Sequence, residues 1–249
     1  MLYHSPGGDT SVPIIPISVS GDNVDLAIIA QANGWDGVSL TPRLIFHILP
    51  GVEVGSDNTS NYSLTTGSLP QTSNLTLINE GTIAGAGGKG GYGTPTSGTV
   101  GAVGGPAFNP LCPIQLDNTN GIIGGGGGGG AGGRNDDGGG GESFDDPGGG
   151  GGGGAGRTPG VGGGHSVSSS GGGIAGNGDI GTLLTGGAGG RNESGDGGGM
   201  GSYAGTGGGL GLVGGSSNAN SGGAAGVAID GVSKVVFIAR GDIRGSEIN

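Results

Sequence analysis

The chain is short of nearly everything that builds a globular core or a catalytic centre. Among its 249 residues there is one cysteine, Cys112, so no internal disulfide can form. Its neighbours Pro110, Leu111, Pro113 and Ile114 mark it as a buried, inert thiol. Aromatic residues make up 4% and charged residues 11%. Lys and Arg number 8 against 19 Asp and Glu, for a net charge of −11. A surface so poor in cations is unsuited to phosphate backbones, which excludes sequence-independent nucleic-acid binding. It also disfavours anionic membranes. No apolar stretch approaches the ~18 residues of a membrane helix. The N-terminus lacks the basic and apolar regions of a secretory leader.

Chemistry-bearing patterns are missing too. The histidines, His4, His47 and His165, are scattered, and no Cys/His pair has zinc spacing. G-x-G-x-x-G matches are expected by chance at this glycine content. A phosphate loop fails at Lys89, where the first glycine position holds Ile83 and Gly90 follows the lysine. Gly172–Asp179 has the wrong spacing for a calcium-binding β-roll. No nucleophile elbow, Ser/His/Asp set or paired-carboxylate site can be assigned. The pattern therefore points away from an enzyme and calls for no cofactor or metal. Arg240-Gly241-Asp242 spells an integrin tripeptide, but reads as part of a terminal glycine element.

What the chain does have is glycine, 73 residues of it, with 19 before residue 121 and 54 from there on. Gly124–Gly130 and Gly148–Gly154 are unbroken runs. High glycine without a period usually marks low-complexity disorder. Hydrophobic residues still reach 31%, they cluster, and charge is too sparse for a repelling coil.

Residues 1–80 read as a β-rich attachment module. Val12–Val19 carries Pro13 and Pro16, which confine it to an edge strand. Asn23–Ala30 alternates like a half-buried strand, and Leu44–Leu49 and Leu75–Ile78 suit further strands. Trp35, between the Asn33-Gly34 and Asp36-Gly37 turn signals, reads as a packed anchor. Residues 81–249 form a second domain with ten glycine-rich runs: 81–93, 100–105, 121–133, 148–156, 160–164, 171–178, 186–190, 195–201, 205–215 and 222–226. Tandem elements of similar length suggest stacking. Collagen would need glycine at every third position. Polyglycine can adopt the three-residue-per-turn polyproline-II geometry instead, which has no internal hydrogen bonds. Its N–H and C=O groups then need partners on neighbouring runs. Each seven-residue run would span ~22 Å at ~3.1 Å per residue, and positions facing a neighbour must lack a Cβ. The fold expected is irregular, all-β: a small β module and a sandwich of about ten antiparallel polyglycine-II runs with exposed tip loops.

Gly81-Thr82-Ile83-Ala84-Gly85, Gly121-Ile122-Ile123-Gly124-Gly125 and Gly241-Asp242-Ile243-Arg244-Gly245 share the pattern G-x-I-x-G, as a strand feeding a glycine run would. If consecutive runs are antiparallel, the links sort by end. Links 94–99, 134–147, 165–170, 191–194 and 216–221 are polar. Most apolar links fall at the other end, within 106–120, 157–159, 179–185, 202–204 and the tail from 227.

The segment Leu75–Gly91, then Gly104–Phe108, the run from Gly121, and the tail at 222–231 and 241–245 resemble the long-tail-fibre adhesins of T-even-like bacteriophages. The resemblance covers roughly residues 70–245; residues 1–70 do not look like that family's usual attachment domain. It implies a polyglycine-II sandwich at the distal end of the tail fibre or tail tip. It also implies loops that bind a host outer-membrane protein or lipopolysaccharide. The chain is then a stand-alone cap on another tail-fibre or tail-tip protein, or the distal part of a larger one. Matched onto this chain, the loops offer Thr96, Arg134, Asn135, Asp136, Asp137, Glu142, Phe144, Asp145, Asp146, His165, Arg191, Asn192, Glu193, Asn218 and Asn220 to the receptor. Phe144 would fill a crevice while the carboxylates meet receptor Lys or Arg; the acidic cluster also reads as solvated charge that keeps the tip soluble, or as a cation site. Arg134, Arg157 and Arg191 are equally suited to capping carbonyls at run ends, and Tyr92 and Tyr203 are open between packing and contact. The competing readings are a structural glycine-rich surface protein without a receptor and a disordered assembly domain.

Overall fold

The computed structural model describes residues 12–94, 97–134, 136–137, 145–166, 174–193, 203–218 and 220–249. It is nearly all β, built on three five-stranded parallel sheets that the chain visits in rotation. The first turn lays down β1 (Ile14–Ile17), β2 (Gly21–Asp22) and β3 (Val24–Asp25), one strand per sheet, and α1 (Leu26–Ala32) follows. The second turn is β4 (Arg43–Ile48), β5 (Glu53–Gly55) and β6 (Leu64–Thr65). The third is β7 (Asn74–Asn79), β8 (Thr82–Ala84) and β9 (Phe108–Asn109). The fourth opens with β10 (Ile114–Asp117) and β11 (Ile122–Gly124). Two short antiparallel pairs then intervene: β12 (Asp136–Asp137) with β13 (Asp145–Asp146), and β14 (Ile174–Ala175) with β15 (Asn192–Glu193). β16 (Val227–Asp230) closes the fourth turn, and β17 (Val235–Ala239), β18 (Asp242–Arg244) and β19 (Ser246–Ile248) make the fifth. The result is a three-sided parallel β-helix, an architecture in which each turn buries its apolar face against the next.

Period-two alternation builds the core. In β4 and β7 alternate residues point inward, so Leu44, Phe46 and Ile48 stack beside Leu75, Leu77 and Asn79. The column continues through Leu116 to Phe237. In the second sheet Val54, Ile83, Ile123 and Ile243 stand in one register. The G-x-I-x-G echo is thus the repeat of successive turns. Leu64, Phe108 and Ile229 fill the third side. Pro16 lies on β1, at the free edge of its sheet, where a missing N–H costs least. Trp35 packs against this core and Cys112 is fully buried within it. Burial pushes the Cys112 thiol up from its ordinary pKa, which keeps it unreactive.

The alternation at Asn23–Ala30 misleads. Asp25 Oδ1 accepts from the Ala27 and Ile28 amides at 2.7 and 3.4 Å, an N-cap that starts α1. Leu26, Ala27 and Ala30 then bury one helical face. Each sheet also takes strands from both sides of residue 80, so the main-chain ladder runs without a break across the boundary expected there.

Two glycine-rich excursions leave the β-helix at the same corner, residues 85–107 between β8 and β9 and residues 125–226 between β11 and β16. Their hydrogen bonds recur every third residue. The amides of Gly85, Gly88 and Gly91 donate to the carbonyls of Gly124, Gly127 and Gly130 at 3.0, 2.8 and 2.8 Å. Gly126, Gly129 and Gly132 donate to Gly105, Ala102 and Thr99, which run the opposite way. Residues 125–133 exchange such bonds with 85–93, 99–107, 148–156, 205–211, 212–217 and 220–226. Residues 148–156 exchange them with 85–93, 125–133, 160–166, 176–182, 185–191 and 205–211. These two are the inner runs. The others close a ring around them, each bonded to the next in the order 85–93, 99–107, 220–226, 212–217, 205–211, 185–191, 176–182 and 160–166, the last returning to 85–93.

This arrangement accounts for the glycine distribution. The longest unbroken runs in the sequence are the two inner ones, hemmed in on every side. A Cβ on Gly127 would lie 2.1 Å from Gly208 O, 2.6 Å from Gly209 O and 2.8 Å from the Ala155 amide nitrogen. Ring runs have one face to solvent, and side chains appear there at intervals of three: Lys89 and Tyr92, Val100 and Val103, all exposed. The expectation that no inner position carries a methyl fails at Ala131 and Ala155, both fully buried. Ala155 packs with Ala84 and Leu210 beside the β-helix, so methyl exclusion holds position by position rather than along a whole run.

Consecutive runs are antiparallel, but the run expected at 205–215 is two runs, turning at Gly209–Leu212 where Leu212 N donates to Gly209 O at 2.9 Å. Leu210 is buried in this turn. Of the run expected at 195–201, no residue lies within the described residues.

Candidate functional site: the far end of the glycine runs

The links between runs gather at two ends. Arg157, in the link after 148–156, reaches the β-helix, where its guanidinium pairs with Asp22 and lies 3.9 Å from Glu53. It is therefore a clamp at the near end. The links at 182–185 and 209–212 lie at this end too, bonded to each other through Leu210 N and Leu184 O at 3.2 Å. Leu183 and Leu210 pack against Ala84 and Ala155 there.

The far end is polar and hydrogen-bonded across links. Thr94 N donates to Gly133 O at 3.2 Å, and Thr94 bridges to Arg134. Thr94 Oγ1 accepts from Ser97 N and Gly98 N at 3.2 and 2.7 Å. Asn220 Nδ2 donates to Ser97 O, and Ser217 Oγ donates to Gly132 O at 2.9 Å. Ser166 Oγ accepts from Gly148 N at 2.7 Å, tying the link after 160–166 to the start of run 148–156. The exposed His165 has its Nδ1 2.8 Å from Asn177 Oδ1, which also accepts from His165 N at 3.1 Å. In β12–β13, Asp136 pairs with Asp146 and Asp137 with Asp145 along the backbone. Ala175 pairs with Asn192 and Ile174 with Glu193 in β14–β15.

Of the candidate contact residues, Arg134, His165, Arg191, Asn218 and Asn220 are described at this end, all exposed but for the half-buried Asn220. The backbones of Asp136, Asp137, Asp145, Asp146, Asn192 and Glu193 belong to its two hairpins. Thr96, Asn135, Glu142 and Phe144 lie outside the described residues. Tyr92 is an exposed ring-run residue with Lys89 Nζ 4.4 Å from its ring centroid. Sequence reading overlooked Thr94, Ser97, Gly98 and Ser217, which knit the links together. The Thr-Pro-Thr-Ser-Gly run carried the signal, since a hydroxyl followed by a glycine marks a side-chain-capped turn.

Polar side chains thus gather on the far-end links, beyond a lattice of main-chain hydrogen bonds, an arrangement suited to contact with another surface. The sequence matches the phage tail fibre adhesin Gp38 family over residues 14–248, and the chain belongs to that family. Among solved structures it is similar to one described as the crystal structure of the gp37-gp38 adhesin tip complex of the bacteriophage S16 long tail fiber. The identity is 26% and the TM-score 0.58, with 95% of this chain and 82% of that chain covered. No curated protein sequence matches. The chain is thus an adhesin of the phage tail fibre and a component of the virion's distal end. Among the described residues no helix is long and apolar enough to cross a membrane.

Proposed function

We propose that this adhesin recognises a host-surface receptor, an outer-membrane protein or lipopolysaccharide, through the links at the far end of its glycine runs. The β-helix is the mount, held by another tail-fibre protein. The mounting surface is the first turn and α1, where Ile14, Val19, Ile28, Val38 and Leu40 are exposed apolar residues. The glycine runs are polyglycine-II helices. Support for this comes from the three-residue period of their hydrogen bonds, the repeat of a helix with three residues per turn and no internal bonds. The reading involves no catalytic step and no cofactor.

One observation carries the reading. The near-end links bury Leu210 and clamp the β-helix through Arg157, while the far-end links carry polar side chains on a frame of main-chain bonds. Loops on a rigid frame tolerate sequence change while the frame stays put. Exchanging residues 134–147 and 165–170 for those of another phage's adhesin is expected to redirect host range without unfolding the protein. A chimera that folds normally and retains the original host would overturn the assignment of these links. Competition between purified protein and phage for intact cells separates this function from that of a structural glycine-rich protein, which would not compete.

A further inference from the structure

We propose that Asn220 is a positioning residue that locks the first and last far-end links into one preformed ledge, which the receptor meets as a single surface. The inference rests on the far end being the receptor site, and it goes beyond that reading by saying which links act as a unit. Asn220 and Ser97 are 123 residues apart in sequence, yet Asn220 Nδ2 donates to Ser97 O. Asn220 is itself held, because its amide donates to Ser217 Oγ at 3.1 Å and its carbonyl accepts from Ser217 N at 2.9 Å. Ser217 Oγ is anchored on Gly132 O at 2.9 Å, which ties the last link to an inner run.

The first link sits on the same run. Gly98 has φ +65°, and a Cβ there would lie 2.3 Å from Gly132 O. Only glycine allows both the left-handed backbone and this approach. Thr94 Oγ1 gathers the Ser97 and Gly98 amides. Thr94, Ser97, Gly98, Ser217 and Asn220 therefore form a connected set seated on Gly132. Asn220 Nδ2 is engaged by Ser97 O, so the residue acts through the first link. A ledge ordered before contact avoids the cost of ordering two loops during binding.

The test uses the full chain with Asn220→Ala, Thr94→Val and both together, read by Gly98 amide exchange, thermal midpoint and binding to intact host cells. Asn220→Ala is expected to speed Gly98 exchange and weaken cell binding about five-fold, the ratio carried by one ordinary hydrogen bond, with the midpoint lowered by no more than about 4 °C. The double variant is expected to bind more tightly than the product of the two single losses implies, as residues of one network do. Asn220→Gln, which can still present a carboxamide to Ser97, restores part of the binding. Weaker binding with unchanged Gly98 exchange would mean that Asn220 touches the receptor itself, and overturns the proposal. Faster exchange with unchanged binding overturns it as well, because the ledge would then lie outside the contact. The exchange arm needs no receptor. If a normally folded 134–147 and 165–170 chimera keeps its host while Asn220→Ala still loosens Gly98, the receptor reading of those links fails and the lock itself stands.

Discussion

Asn79 Nδ2 donates to Asn118 Oδ1 at 2.7 Å across 39 residues of sequence, and both side chains are fully buried. Asn118 Nδ2 donates in turn to Arg240 O at 2.8 Å. Third, fourth and fifth turns of the β-helix are therefore joined at one corner by a chain of carboxamides. Replacing Asn118 by Ala leaves Asn79 Nδ2 with only its longer bond to Ile122 O at 3.3 Å and strands the Arg240 carbonyl. Leaving buried polar groups unmade costs ~1–3 kcal/mol, and each kcal/mol lowers the midpoint by about 2–4 °C in a chain of this size. Calorimetry of Asn118→Ala should show a drop in that range; an unchanged midpoint would mean that the ladder is dispensable.

Glycines divide into those with neighbours on all sides and those on the ring. Gly127→Val drives a branched side chain into Gly208 O and the Ala155 amide, backbone atoms that cannot give way, and should abolish soluble folded protein. Val103→Thr, on the exposed face of a ring run, should stay within about 0.5 kcal/mol of the parent. Expression yield and midpoint of the two variants check the pair together. A native Gly127→Val protein would place that run elsewhere.

The β-helix and the glycine runs should unfold as one. The fourth turn closes only after the chain has completed residues 125–226, because β11 and β16 flank that excursion. Leu116→Ala empties part of the core column beside Leu77 and Phe237 and should cost ~2–5 kcal/mol. Fluorescence and glycine amide protection should then be lost in a single shifted transition. Separate transitions would show two independent units.

Tyr62 donates to Asp230, and that hydrogen bond, with burial second, pushes the phenol up to about 12. A raised folded-state pKa gives stability that is complete below the unfolded value of ~10 and is lost as pH rises towards 12. Tyr62→Phe should therefore be less stable than the parent at pH 8, with the gap closing by pH 11.5. Denaturant titrations at the two pH values read this directly; a gap that widens with pH would contradict the bond.

Much of this architecture was legible in the sequence where local pattern and fold agree. Leu44–Leu49 and Leu75–Ile78 alternate because one face lines the β-helix. The three G-x-I-x-G elements match because Ile83, Ile123 and Ile243 occupy one register. The polar links sort to one end because antiparallel runs alternate, but Tyr203 and Ala204, of the link 202–204 expected at the other end, lie at the far end, where run 205–211 begins beside Ala131 and Ala204 O faces Gly189. The rest is hidden for physical reasons. Asp25 turns an alternating stretch into a helix through its side chain, which periodicity cannot see. The turn at Gly209–Leu212 sits inside a glycine-rich stretch, where Leu210, Leu212 and Val213 interrupt the glycines without separating them into two runs; Gly211 at φ +72° is the hinge. Strand neighbours such as β11 and β16 lie on either side of a long excursion, and no short-range signal connects them. At the far end the side chains were visible as candidates, but the Asn220–Ser97 bond was not, because it joins the first link to the last.

The account depends above all on the inner runs being ordered by sideways main-chain bonding. Residue-resolved amide exchange of the native protein at neutral pH tests this most directly. Glycine amides in 125–133 and 148–156 should exchange orders of magnitude more slowly than an unstructured chain, with those at the solvent-facing positions of the ring less protected. Exchange of the inner glycines at unstructured rates would contradict the account.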